Sequence, residues 1–474
     1  MTNNIQLKNI ILFFTFLLIA LPGCYIGIGG TYLRVACIAI LALLAILFVT
    51  RPNYILGLFL KYSKNIISIL MLSLFTWIFV DTFICSYLGL CSMLKSLLAI
   101  LFRFVPLVII PYYLGIYIAR HFSPKQIIKF YSTIFLFVLF IGFLDIIFSL
   151  LHIPILSYTI SNHRTIASGV IAKATYLGIN RIQSVFDEPS YFGMFLSIHF
   201  FMICSIADSK IKIFKNKLLE FILKKCSFYL VWLCLIFSMS PMYIFIIGIQ
   251  TFIYKFIIIS KTGISKRIIN ITAFILFSII FIFIFYKYNF EGTFLNRIHK
   301  TLISLTSINA LVAYSDSLAN RVINYYAQIL IFLKHPFSGV GFGFVGYHLN
   351  NEFLNMNIPL TYEIQQGILS GRKSGNYALL WTTLAENGVV AVGLLYSILI
   401  LSIRKILKNI KRIYDSIDKL LAFSILYALI TSFILSIYDS GITLNYIWIA
   451  VGISAGFPDV KFLKGRCINE NHNC

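Results

Sequence analysis

The chain has 474 residues, of which 59% are hydrophobic, 16% aromatic and only 12% charged, and its mean hydropathy is +0.91. A soluble domain carries about 25% charged residues. That shortfall, with 45 Phe and 28 Tyr, excludes a soluble globular enzyme and a disordered chain. The net charge of +23 raises nucleic acid as a partner, but the placement of the basic residues argues against it.

A bilayer core takes roughly 20 apolar residues per helix. Apolar spans are predicted near 10–23, 33–50, 65–83, 97–119, 127–151, 190–207, 227–240, 241–259, 268–286, 378–403, 420–438 and 441–457. The fold class expected is therefore all-α. It is a polytopic membrane protein with about 12 transmembrane helices, treated as one integral membrane domain over 1–474. Spans 227–240 and 241–259 are short enough to be one bent hairpin. With the N-terminus inside, 26 of the 39 Lys and Arg residues fall on the inner side. This is the positive-inside bias, and it places both termini in the cytoplasm. The basic charge then serves topology and attraction to anionic headgroups.

Leu21-Pro22-Gly23-Cys24 has the look of a lipoprotein cleavage site. With only Lys8 before it and further spans after it, a first membrane helix is the better reading. The nine cysteines show no zinc-ligand spacing. Cys85 and Cys91 share a short loop, where a disulfide and plain packing are both open. Asp81, Arg103, Asp145 and Asp439 lie in the outer parts of spans, and Arg34 opens the second span on the same side. Ionisable groups at membrane depth are costly and mark function by default, with structural ion pairs as the alternative.

Two loops are long, 152–189 and 287–377, and both fall on the outer side. No inner segment is long enough for a nucleotide-binding domain. Any chemistry must then face outward and use a substrate that is already activated, as on a lipid carrier. Outer basic residues are seven Arg and six Lys, against six Arg and twenty Lys inside. Arg grips phosphate with a planar fork, so this imbalance points to an anionic outer ligand.

The segment Arg181–Gly193, RIQSVFDEPSYFG, joins the first long loop to a span. Arg181 is a candidate phosphate ligand. Glu188 sits at the mouth of a helix opened by Pro189, placed to hold or deprotonate a sugar hydroxyl. Compensation of the helix dipole is the plainer account. In the second loop, Leu318, Val322, Tyr325, Tyr326, Ile329, Leu330 and Leu333 repeat at helical spacing. Arg321, Asn324 and Gln328 share the opposite face. Ser315, Asp316 and Ser317 offer N-caps, and His335-Pro336 ends the helix. Such a helix is expected to lie in the membrane surface with its polar face toward solvent. The glycine-rich SGVGFGFVG (338–346) follows, either cradling phosphate with backbone N–H groups or packing on a neighbouring helix. Glu386 precedes Asn387-Gly388, a break in an otherwise apolar segment. Broken helices at membrane depth line cavities.

These features together resemble the Wzy-type O-antigen polymerase family, within the O-antigen polymerase/ligase superfamily. The resemblance rests on Arg181, Glu188-Pro189-Ser190, Arg321, His335-Pro336, Gly339, Gly341, Gly343, Asn376-Tyr377 and Glu386-Asn387-Gly388. It implies a GT-C-like glycosyltransferase with a large, partly helical periplasmic loop in the bacterial inner membrane. Such an enzyme joins undecaprenyl-pyrophosphate-linked oligosaccharide repeat units in lipopolysaccharide biosynthesis. It implies no metal and no cofactor. Arg181, Arg321 and Arg372 would neutralise the leaving pyrophosphate, and Glu188 would bind or activate the acceptor hydroxyl. His348 and Glu386 are further candidates for that task. Asn376 and Tyr377 belong to the substrate-binding set. Implied partners are the lipid-linked oligosaccharide, membrane lipid, a chain-length regulator and a flippase, and no nucleic acid. Arg181 and Gly193 are separated by eleven residues, one more than the family's common spacing. Gly375 stands where the ligases carry a functional His, which favours polymerase over ligase. A twelve-span transporter or glycan flippase is the non-enzyme alternative; the halves show no repeat.

Overall fold

The computed structural model describes residues 2–20, 65–151, 189–254, 307–369, 378–438 and 445–457, apart from 239, 315 and 414. Short pieces at 25–28, 31–34, 40, 42–43, 175–176, 179–180, 182, 184, 186 and 272 are also described. Helices dominate: α1 (Thr2–Ala20), α2 (Ile66–Tyr87), α3 (Met93–His121), α4 (Pro124–Leu150), α5 (Pro189–Asp208), α6 (Lys217–Ser238) and α7 (Pro241–Phe252) come first. The second half carries α8 (Ile308–Tyr314), α9 (Asp316–Lys334), α10 (Val345–Asn355), α11 (Tyr362–Leu369), α12 (Leu379–Ile410), α13 (Ser416–Tyr438) and α14 (Asn445–Gly456).

Seven helices among the described residues are long and apolar enough to cross a membrane: α2 to α4, α5 from Ser190, α6, α12 and α13. Three shorter apolar helices, 9–19, 242–252 and 446–456, coincide with further predicted spans. The predicted span 268–286 and most of 33–50 lie outside the described residues. Two small antiparallel hairpins, Tyr25–Ile28 with Thr31–Arg34 and Thr175–Tyr176 with Ile179–Asn180, accompany the helices. Arg34 thus pairs with Tyr25 in a strand, rather than opening a helix.

α2 has an apolar outer face and carries polar groups among its buried residues. α2 exposes Ile69, Leu72, Phe79, Val80 and Phe83 while burying Ser68, Asp81 and Thr82. Polar groups turned inward and apolar ones outward suit a hydrocarbon solvent. In α3, Pro106 lacks the N–H that a regular turn requires. The helix widens into a π-helical stretch over Ile100–Ile109, with the Ile110 N–H donating to Val105 O. α3 and α14 approach so closely that a Cβ on Gly452 would stand 2.0 Å from Tyr112 O, the small-residue contact favoured between membrane helices.

Short connections join α3 to α4, α5 to α6 and α12 to α13, and the described connections sort into two ends. At one end lie 120–125, 208–217 and 410–416, where Asn65 Nδ2 and Lys405 Nζ donate to Ala455 O at 2.8 and 2.6 Å. This basic end holds Arg120, Lys125, all six lysines of 208–226, and six Lys or Arg in 404–419. The other end, the loop end, gathers the C-termini of α2 and α13, the N-terminus of α12, and α9 to α11.

Candidate functional site

α12 carries the feature that organises the loop end. Gly388 has φ 70 and ψ −172 inside an otherwise continuous helix, a left-handed conformation that glycine adopts without strain. The predicted Asn-Gly break is therefore present. It frees backbone groups that must find partners in a nonpolar setting. Val389 N donates to Pro336 O at 2.9 Å, while Ala385 O and Glu386 O accept from Val340 N and Gly341 N at 2.9 and 2.8 Å. Asn387 O accepts from Trp77 Nε1 at 3.0 Å. Asn387 Nδ2 donates to the buried Asp81 carboxyl at 3.0 Å.

The glycine-rich loop thus docks into the broken helix. Its N–H groups at Gly339, Val340, Gly341 and Phe344 donate to backbone carbonyls. These four are spent on protein, which favours the packing reading of this loop over a phosphate cradle. Cys85 and Cys91 flank Gly341, whose added Cβ would meet Cys91 Sγ at 2.9 Å. Both thiols are free. Burial pushes the Cys91 thiol above its usual range.

α9 departs from expectation. Its ends fall where the sequence placed them, but its orientation is inverted. Asn324 is 2% exposed, Gln328 0% and Arg321 9%, whereas Val322, Tyr326 and Leu333 are 40%, 49% and 65% exposed. The buried stripe is Ala319, Ile323, Ala327 and Ile331, packed with Val340, Val345, Leu349 and Ala385. Small alanines let α9 come close to its neighbours, while Val322, Tyr326 and Leu333 face out. The polar face is an interior face, not a solvent face.

Arg321 Nη1 donates to Tyr438 Oη at 2.8 Å, and its guanidinium lies 5.1 Å over the Tyr438 ring. Both contacts fix a buried cation. Tyr325 Oη donates to Tyr438 O, and Trp381 Nε1 donates to Ile437 O at 3.0 Å. Tyr325 and Trp381 have ring centroids 6.3 Å apart. The ends of α9, α12 and α13 are thereby sewn together around Arg321. Tyr438 was not singled out in the sequence; its only signal was its place beside Asp439 at the end of a span.

Glu386 is buried on α12, one residue before the break, on a helix packed against the one that carries Arg321. His348 stands apart from them. Its Nε2 lies 2.8 Å from Leu90 O, and a carbonyl only accepts, so Nε2 carries the proton. It ties α10 to the turn after α2. Arg103 is exposed on the π-helical stretch of α3 and makes no ion pair among the described residues. Asp145 is buried and accepts from Ser184 N at 3.2 Å.

Arg181, Glu188, Arg372, Asn376, Tyr377 and Asp439 lie outside the described residues. Their described neighbours are anchored at the loop end. Ile182 N donates to Phe237 O at 3.2 Å, and Ser184 Oγ donates to Val138 O at 2.8 Å. Ile182, Ser184 and Phe186 are all buried. Among the described residues no group of three or more His, Cys, Asp or Glu is placed to hold a metal ion. No family model matches the chain, and no curated protein matches its sequence.

Proposed function

We propose that this protein is a polysaccharide polymerase of the O-antigen type. It would join oligosaccharide units carried on undecaprenyl pyrophosphate at the outward face of a bacterial inner membrane. One observation carries the reading most: a buried arginine, Arg321, held by the hydroxyl and ring of Tyr438 at the loop end of an apolar helical bundle. A desolvated, pre-oriented guanidinium is a strong partner for pyrophosphate. Connections at the opposite end carry dense Lys and Arg, which supports that end as cytoplasmic and the loop end as external.

In the proposed reaction an acceptor sugar hydroxyl attacks the anomeric carbon of the donor glycan. The new glycosidic bond forms as the bond from that carbon to the pyrophosphate oxygen breaks. The hydroxyl proton passes to Glu188. The carrier pyrophosphate leaves as an anion, neutralised by Arg321 together with Arg181 and Arg372. Glu386, on the helix packed against α9, is a candidate for orienting the acceptor.

The test is deletion of the gene followed by electrophoresis of surface polysaccharide. A pattern with single repeat units supports a polymerase. Complete absence of attached glycan points to a ligase or a flippase. A normal ladder overturns the proposal.

A further inference from the structure

α9 and α12 hold a set of buried polar atoms with no hydrogen-bond partner among the described residues. Gln328 lacks a partner at both Nε2 and Oε1, Asn324 at Oδ1, and Thr382 at Oγ1. Asn324 and Gln328 are almost wholly buried. Folded proteins rarely leave both ends of a buried amide unmet, and each exception calls for a reason. These atoms also fall in one neighbourhood. Arg321, Asn324 and Gln328 are spaced i, i+3 and i+7, so they form one line along α9. Thr382 lies between Ala385 and Glu386 on the wheel of α12, and Ala385 packs into the α9 cluster.

The line has a chemical polarity. It is cationic at Arg321 and neutral beyond it. At about 1.5 Å of rise per residue, Asn324 and Gln328 stand about 4.5 and 10.5 Å further along the axis. An amide offers both a donor and an acceptor, as does a sugar hydroxyl. A pyrophosphate-linked glycan has the matching order: charge at one end, hydroxyls after it.

We propose that Asn324, Gln328 and Thr382 form a glycan subsite that takes ring hydroxyls of the sugars next to the pyrophosphate held at Arg321. This rests on the polymerase reading and extends it to residues that the resemblance does not name. Asn324 Nδ2 donates to Asn320 O at 2.6 Å, so the amide atoms left for the substrate to meet are Asn324 Oδ1 and both ends of the Gln328 amide. Removing them then weakens glycan binding without weakening the fold.

The experiment uses the full chain purified in detergent and three probes. These are the undecaprenyl-pyrophosphate-linked oligosaccharide extracted from cells lacking the gene, the free oligosaccharide released from it by mild acid, and undecaprenyl pyrophosphate. The variants are Gln328→Leu, Asn324→Leu and the near-isosteric Thr382→Val. Without probe, each is expected to melt at or above the wild-type temperature. Affinity for the free oligosaccharide is expected to fall about tenfold in each leucine variant, with undecaprenyl pyrophosphate binding unchanged. Arg321→Lys is expected to give the opposite pattern. Wild-type affinity for the free oligosaccharide in both leucine variants overturns the subsite while leaving the polymerase reading in place. A loss of melting temperature in the leucine variants with Thr382→Val binding normally also overturns it, because the amides are then structural. If wild-type protein neither binds nor elongates the lipid-linked probe, the polymerase reading falls and the subsite with it.

Discussion

Replacing Gly388 by alanine tests whether the glycine-rich loop and the helix break form one unit. Two costs combine there. A side chain at φ 70 enters the left-handed region, which costs about 1–2 kcal/mol. The added Cβ would also stand 1.9 Å from Phe337 O and 2.3 Å from Phe337 C. That clash forces the loop off α12 and strains the bonds of Val389 N, Val340 N and Gly341 N. At about 0.5–1.5 kcal/mol each, their loss adds about 1.5–4.5 kcal/mol, for a total of about 2.5–6.5 kcal/mol. Two other glycines separate the terms. Gly89 has φ 70 with open space at its Cβ position, and Gly393 is helical with open space. Gly89→Ala is expected to cost about 1–2 kcal/mol from conformation alone. Gly393→Ala should be neutral or stabilising by about 0.5–1 kcal/mol. Denaturant unfolding in mixed micelles reads the series. Equal stability of Gly388→Ala and Gly89→Ala would refute the docking argument, since only the first drives a side chain into the loop backbone.

Three further outcomes follow from named contacts. Arg321→Lys keeps the charge but loses the planar fork, so polymer formation should fall about ten- to a hundred-fold at normal membrane abundance; Tyr438→Phe, which removes only the Oη contact, should lose less in the same ladder assay. In a cysteine-free background, Ser307→Cys should react with an impermeant thiol reagent in intact cells and Ser209→Cys should not; the reverse pattern would invert the proposed orientation. Burial, with the His348 and Lys334 charges next in order, holds the His335 imidazole below its usual value of 6.5. The unfolded chain therefore binds more protons between that depressed value and 6.5, and stability is lost as pH falls through this window. Melting at pH 7.5 and 5.5 should show a smaller drop for His335→Asn than for wild type.

Much of the architecture was legible because hydrocarbon imposes a simple rule on length and polarity. Seven of the predicted spans coincide with long apolar helices and three more with shorter ones, and the break at Asn387-Gly388 and the limits of α9 were readable from local chemistry. The facing of α9 was not. A period of 3.6 separates an apolar stripe from a polar one, but it does not say which stripe meets protein. Val322, Tyr326 and Leu333 read as a face seeking burial, yet the smaller Ala319 and Ala327 determine the close contact. The glycines at 339 and 341 gave a similar ambiguity. Their spacing fits an anion cradle as well as a tight backbone contact, and only the acceptors at Ala385 O and Glu386 O decide between them. Asp81 likewise read as either a functional charge or one half of an ion pair; its partner Asn387 lies 306 residues away in sequence, beyond the reach of any local pattern.

Reconstitution tests the central claim most directly. The purified full-length protein would be placed in liposomes with lipid-linked repeat units extracted from cells lacking the gene, and the products resolved on a gel. The account predicts a ladder of lengthening glycans with release of undecaprenyl pyrophosphate, both lost with Arg321→Lys. Recovery of the repeat units unlengthened, with the wild-type protein folded and a flippase and chain-length regulator supplied, would contradict it.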